Sequence, residues 1–107
     1  MATEKQADYI RILTDKQRQG IQSDWAFGGY RNPQRKALKA KYGDSYWDLT
    51  DEQQAQEWAT TVDGVLNYLD RIDANAEAMS TDEASQMIDN LKNGNIVWMF
   101  WNDAGVL

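Results

Sequence analysis

The chain has 107 residues, of which 42% are hydrophobic and 26% charged, a composition typical of one soluble domain (1–107) with a single modest core. It contains no cysteine and no histidine, which excludes disulfides, Cys/His zinc sites and catalysis by either residue. Its net charge of −6 is uneven: residues 1–42 carry nine basic and four acidic residues, and residues 43–107 carry two basic and thirteen acidic ones. This asymmetry indicates a macromolecular partner, or two halves that complement each other within the fold.

Hydropathy along the chain favours a cytoplasmic protein. No apolar run approaches the roughly 18 residues of a membrane span. The first residues, MATEKQ, also lack the basic and then apolar pattern of a secretory leader. We therefore expect neither membrane insertion nor secretion.

A similar tetrapeptide occurs four times and predicts where helices begin. Each copy places a threonine hydroxyl before acidic or amide residues, as at helix N-termini. The copies begin at Thr3, Thr14, Thr50 and Thr81. We predict helices beginning near residues 4, 51 and 82, and we interpret the repeat as helix capping rather than as an internal duplication.

Thr14 leaves two alternatives for the first helix. It can begin a second helix, or it can lie on the outer side of one continuous helix from Thr3 to about Asp24. We favour the continuous helix, because apolar residues fall at helical spacing along it: Ile10, Leu13, Ile21 and Trp25.

Residues 25–48 are predicted to form a loop, a short helix and a second loop. The adjacent glycines in Phe27–Tyr30 favour a turn. Asn32 and Pro33 are typical of an N-cap and a first helical residue, so a short basic helix should begin there and end at Gly43.

The central helix is the strongest prediction. Its apolar residues fall on one helical stripe: Ala55, Trp58, Ala59, Val62, Val65, Leu66, Leu69 and Ile72. Thr50 and Gln53 form a predicted capping box. The acidic residues between them are stabilised by the helix dipole, which favours negative charge at the start of a helix. The helix should cover about 51–73, with a possible extension to Met79.

The C-terminal part is predicted to add one short helix and an aromatic segment. The helix Asp82–Lys92 should bury Ala84, Met87, Ile88 and Leu91 and end at Gly94. The apolar run 96–101 is too short for periodicity to separate strand from helix. We expect it to enter the core as an extended or short helical segment, with pairing in a small sheet as the alternative. The fold class is thus mainly α, with four to five helices packed on the central helix.

Two pieces of the chain resemble a small helical module found in phage and mobile-element proteins of bacteria. Residues 2–13, ATEKQADYIRIL, are similar to its opening A-T-E-K-Q-x-x-Y-I-x-x-L, and residues 80–91, STDEASQMIDNL, are similar to its closing E-A-S-x-x-I-x-x-L. They cover about 24 of 107 residues, and here the basic segment and the central helix separate them. The resemblance implies helical packing and a phage-like origin, without a defined activity.

The acidic surface of the central and last helices is the first candidate binding site. Between residues 44 and 89 there are twelve carboxylates and only one basic residue, Arg71. Such an array can compete for a basic groove that normally holds a nucleic-acid backbone. The alternative is that these charges only provide solubility. The candidate protein-binding residues are Asp51, Glu52, Asp63, Asp70, Asp73 and Glu77.

The basic segment 25–42 is the second candidate site, because cations for phosphates and rings for base stacking are what nucleic-acid binding requires. A solvated helix face, partly paired with the acidic half, is the alternative. The candidate nucleic-acid-binding residues are Tyr30, Arg31, Arg35, Lys36, Lys39 and Lys41.

An enzyme is the least favoured class. No Asp-x-Asp pair or calcium-loop spacing occurs, and Gly28-Gly29 lacks the Lys-Ser/Thr that follows a phosphate loop. We expect a non-enzymatic protein without a cofactor, which inhibits a nucleic-acid-handling or defence protein of the host through its acidic helices. A small nucleic-acid-binding protein is the alternative, and the sequence leaves the oligomeric state open.

Overall fold

The computed structural model describes residues 1–23 and 28–107, and these residues fold almost entirely into helices. The α-helices are α1 (Glu4–Ser23), α2 (Gly28–Tyr42), α3 (Asp51–Asn75), α4 (Thr81–Lys92) and α5 (Ile96–Asp103). Two 3₁₀ helices, Gly43–Asp48 and Ala76–Ala78, connect them. The described residues contain no strand, so the mainly α prediction is confirmed and the small sheet considered for the aromatic segment is not found among them.

The predicted continuous first helix is confirmed across its described residues. A capping box begins it: the Thr3 hydroxyl accepts from the Gln6 N–H, and the Gln6 carboxamide accepts from the Thr3 N–H. Ile10, Leu13 and Ile21 are buried as predicted, and Trp25 lies outside the described residues. Thr14 is also fully buried, so its placement on the outer side was wrong. Its hydroxyl donates to Asp73 of α3, and this hydrogen bond satisfies it in the core.

The central helix begins and runs as predicted, but its stripe is buried unevenly. The capping box of Thr50 and Gln53 is present, and α3 extends to Asn75 before the 3₁₀ turn. Val65, Leu69 and Ile72 are buried. Trp58, Val62 and Leu66 are half-buried, while Ala55 and Ala59 are exposed. The first turns of α3 therefore project beyond the main core.

Two details of the prediction for α2 were wrong. Gly28 to Tyr30 are helical rather than a turn, and Asn32 and Pro33 lie inside the helix rather than at its start; Phe27 lies outside the described residues. The reason is tertiary packing, because the residues at helical spacing from Tyr30 are all buried and their burial outweighs the local glycine and proline preferences. These residues are Tyr30, Pro33, Gln34, Ala37 and Leu38. The predicted end at Gly43 is confirmed by its positive φ of 57°.

The last two helices form the end of the core. Ser80, rather than Thr81, caps α4 in a box with Glu83. Ala84 and Leu91 are buried as predicted, Met87 and Ile88 are half-buried, and Gly94 ends the helix with a φ of 71°. The aromatic run is the helix α5, which buries Ile96, Val97 and Trp101.

These helices form an elongated body of 48 × 25 × 19 Å. Helix α1 packs on α4 and on α3, and its polar contacts to α3 are with Asp70 and Asp73 near the C-terminal end of that helix. Helix α2 packs on α5 and on the 3₁₀ helix Gly43–Asp48, and α5 also contacts α3. None of the described helices is long and apolar enough to cross a membrane.

Candidate protein-binding surface

The start of α3 carries carboxylates that are open to solvent. Asp51 and Glu52 occupy its first turn, where the helix dipole stabilises negative charge. Asp63 lies three turns further along, and all three residues are exposed. None of the three is in an ion pair among residues 1–23 and 28–107. Their charge is available to a partner.

Helical geometry aligns part of this acidic array. Residues 11 and 18 positions apart in an α-helix differ in direction by only about 20° or less. Glu52, Asp63 and Asp70 therefore project from nearly one line along α3, with successive separations of about 17 and 10 Å along the axis. These three carboxylates therefore follow one side of α3.

Arg18 of α1 lies against the C-terminal end of this acidic line, where it contacts Asp70. Its guanidinium contacts Asp70 at 2.8 Å, Asp73 at 2.5 Å and Asp15 at 2.6 Å. Asp73 also accepts a hydrogen bond of 2.6 Å from the buried hydroxyl of Thr14. Burial favours the neutral guanidine, but the hydrogen bonds to Asp73 and Asp70 outweigh it and raise the pKa of Arg18 above its ordinary value. Asp70 and Asp73 are thus committed to contacts within the fold.

Glu77 also forms an ion pair with an arginine of α1, but both side chains of this pair are more exposed. Its carboxylate lies 3.3 Å from the guanidinium of Arg11, which also approaches Asp8 at 3.8 Å. The structure therefore divides the six predicted protein-binding residues into two groups. Asp70, Asp73 and Glu77 pair with arginines of α1, whereas Asp51, Glu52 and Asp63 face solvent.

A polar junction joins the end of α2 to α3. The Tyr42 hydroxyl donates to Oε1 of Glu57, and Lys41 Nζ lies 3.3 Å from Oε2 of the same carboxylate. The hydrogen bond from Tyr42, together with Lys41, lowers the pKa of Glu57 below its ordinary 4.5 against the opposing effect of burial. The same hydrogen bond raises the pKa of Tyr42. This carboxylate is used internally and does not belong to the open acidic face.

The predicted nucleic-acid-binding residues are only partly brought together. Arg35, Lys36 and Lys39 are exposed on α2, and Arg31 is half-buried. Lys41 is paired with Glu57. Tyr30 is 6% exposed and donates a hydrogen bond of 2.7 Å to Gln17, so its role as a stacking ring for a base was a wrong prediction. Of the other rings in this segment, Trp25 and Phe27 lie outside the described residues, and Tyr42 is half-buried and donates a hydrogen bond to Glu57.

Trp47 lies near the end of the 3₁₀ helix Gly43–Asp48 and is not among the site residues predicted from the sequence. Its side chain is 76% exposed. A 3₁₀ helix has three residues per turn, which places Asp44 on the same side as Trp47. Asp44 and Asp48 are also exposed and, among the described residues, make no ion pair. We call Asp44, Trp47, Asp48, Asp51 and Glu52 the Trp47 patch. The three-residue spacing was visible in the sequence, and the structure shows that Trp47 is exposed whereas its neighbour Tyr46 is buried.

The pockets among the described residues differ in their chemistry, since two of them are lined in part by ionisable side chains, including Glu57 and Asp103, and a third is not. No group of three or more aspartates or glutamates in this part of the chain is arranged to hold a metal ion. An open pocket of about 480 Å³ between α4 and α5 is lined by side chains without an ionisable group: Asn90, Asn95, Trp98, Met99, Asn102 and Leu107. Such a lining supplies hydrogen bonds and an aromatic ring, but no side chain for acid–base chemistry.

Comparison of the chain with protein-family models, with curated proteins and with solved structures found no match.

Proposed function

We propose that this protein acts without catalysis, as an inhibitor of phage or mobile-element type that occupies a basic groove of a nucleic-acid-handling protein. One observation carries the proposal: the start of α3 and the segment before it present exposed carboxylates without ion-pair partners among the described residues. A basic groove responds to the placement of negative charge rather than to phosphate as such. The rigid line from Glu52 to Asp63 supports this use, because a preorganised surface loses little entropy on binding.

The internal ion pairs reduce the number of residues that we propose to contact the partner. Asp70, Asp73 and Glu77 already neutralise Arg18 and Arg11, so a cation of the partner would have to share these carboxylates with arginines of the same chain. We therefore assign the interface mainly to Asp51, Glu52 and Asp63.

Direct binding of nucleic acid through α2 is the second candidate function. It is favoured by Arg35, Lys36 and Lys39, which are exposed and, within the described residues, form no ion pair. It is weakened by the burial of Tyr30 and by the pairing of Lys41 with Glu57. We rank it second because the buried Tyr30 cannot stack on a base, and because Lys36 and Lys39 already lie over the rings of Trp98 and Trp47.

A charge-matched comparison tests the first function. The test variant combines Asp51→Asn, Glu52→Gln and Asp63→Asn, and the control variant combines Glu4→Gln, Asp82→Asn and Asp89→Asn, which are also exposed. Both lose three negative charges, but the control lies on α1 and α4. Each protein is immobilised and exposed to nuclease-treated bacterial lysate at two salt concentrations.

We expect wild type and control to retain a nucleic-acid-binding protein that duplex DNA displaces, and the test variant to lose it. The salt dependence of retention should also become flatter in the test variant, because steering charges have been removed. Equal retention by both variants would contradict the acidic interface. A gel shift of DNA that is lost in Arg35→Ala/Lys39→Ala, with a salt slope lower by about one unit per lost phosphate contact, would support the second function instead.

A further inference from the structure

The indole of Trp47 is held in place although it is exposed. Tyr46, the preceding residue, is 9% exposed and packs its ring edge-on against the indole, with ring centroids 5.2 Å apart. Lys39 Nζ lies 5.2 Å from the centroid of the indole ring. A ring that is fixed on one side by these contacts loses little freedom on binding, which is a property of interface anchors.

The charges around this indole indicate the chemistry of its partner. Asp44, Asp48, Asp51 and Glu52 lie within five residues of Trp47 and are exposed. A polyanion would meet repulsion from these four carboxylates, although Lys39 also lies beside the indole. A cationic group would be attracted both by the carboxylates and by the π-face of the indole.

We propose that the Trp47 patch binds an arginine side chain of the partner protein, with the guanidinium stacked on the exposed part of the Trp47 indole and its N–H groups donating to the neighbouring carboxylates. Arginine fits better than lysine, because its planar guanidinium both stacks on aromatic rings and forms forked hydrogen bonds with carboxylates. This inference rests on the proposed function, since it specifies the residue type that the acidic surface recognises. It also explains why a large apolar ring is exposed in an acidic segment.

Two peptides of equal length and charge, one arginine-rich and one lysine-rich, are the probes for this inference. Their binding to the intact chain is followed by NMR through the indole N–H signals of the five tryptophans, and the Trp47 signal is assigned from Trp47→Phe. A single-stranded oligothymidylate is the third probe. Ile12→Ala is the matched control for Trp47→Ala, because Ile12 is also an exposed apolar residue but lies on α1. Thermal melts establish that both variants are folded.

We expect the arginine peptide to shift the Trp47 signal and to bind about two- to five-fold more tightly than the lysine peptide. Trp47→Ala should remove this preference, and Ile12→Ala should keep it. An unchanged preference in Trp47→Ala would overturn the arginine anchor while leaving the proposed acidic interface intact. Absence of binding by both peptides would contradict the proposed function itself. A shift of the Trp47 signal by oligothymidylate would overturn the choice of a protein partner.

Discussion

At the scale of single residues, Glu57 links the stability of the fold to pH. Its carboxylate accepts from the Tyr42 hydroxyl and pairs with Lys41, which lowers its pKa below 4.5 in the folded state. A carboxylate with a lowered folded pKa binds protons more readily when unfolded, so its contribution to stability is present above about pH 4.5 and is lost as the pH falls through the folded value.

Glu57→Gln should therefore lower the melting temperature at pH 7 by roughly 2–4 °C, because a partly exposed charged contact contributes less than about 1 kcal/mol. The difference from wild type should shrink as the pH is lowered from 5 towards 3. Circular dichroism melts across this range are the measurement, with Asp63→Asn as an exposed carboxylate control. A constant difference at every pH would contradict the assignment.

At the scale of helices, Gly64 of α3 lies directly against Phe100 of α5. A Cβ at this position would lie 2.6 Å from Cζ and 2.8 Å from Cε1 of Phe100. The Phe100 ring is also packed edge-on against Trp101, at a centroid distance of 4.9 Å, and against Tyr68, at 6.3 Å. Its freedom to move aside is thus restricted, and glycine is needed for the close approach.

Gly64→Ala should destabilise the protein by about 1–2 kcal/mol, because overpacking costs more than the gain of about 1 kcal/mol in helix propensity. Urea denaturation measures the loss. In a Phe100→Ala background the same substitution should become neutral or stabilising, since the ring that it meets is gone. A stabilising effect in the wild-type background would show that the two helices do not cross closely here.

At the scale of the whole molecule, the basic and acidic parts of the chain partly neutralise each other. Arg18 of α1 joins Asp70 and Asp73 of α3, and both Arg18 and Asp73 have side chains exposed by less than a quarter, at 22% and 23%. Arg11 and Glu77 make a similar connection, but their side chains are 41% and 73% exposed. Partly buried, hydrogen-bonded charges contribute more to stability than solvated ones.

Arg18→Ala should cost about 1–2 kcal/mol of unfolding free energy, because two neighbouring carboxylates lose their common cation. High salt should reduce this loss by screening the repulsion between Asp70 and Asp73. Arg11→Ala, on the same helix, is the control and should cost less than about 1 kcal/mol. Equal losses in the two variants, measured by urea denaturation, would contradict a special role for the Arg18 cluster.

The sequence by itself determined the helical class, the long first and central helices and most helix ends. These features depend on local physics: the capping boxes at Thr3 and Thr50 satisfy backbone N–H groups a few residues away, and the glycines at 43 and 94 end helices by adopting positive φ. The acidic character of the candidate surface followed from composition in the same way. A phage-type origin and an inhibitory function stay predictions.

Only the tertiary structure decided which residues are available at the surface. Gly28 is helical because the stripe from Tyr30 to Leu38 is buried, and this gain in packing is not included in local helix propensities. Thr14 is in the core and Asp70 and Asp73 are neutralised because α1 lies against α3, an arrangement between residues more than fifty positions apart. The same long-range packing leaves Trp47 exposed among carboxylates. Burial and pairing depend on which helices meet, and helical periodicity alone does not specify that.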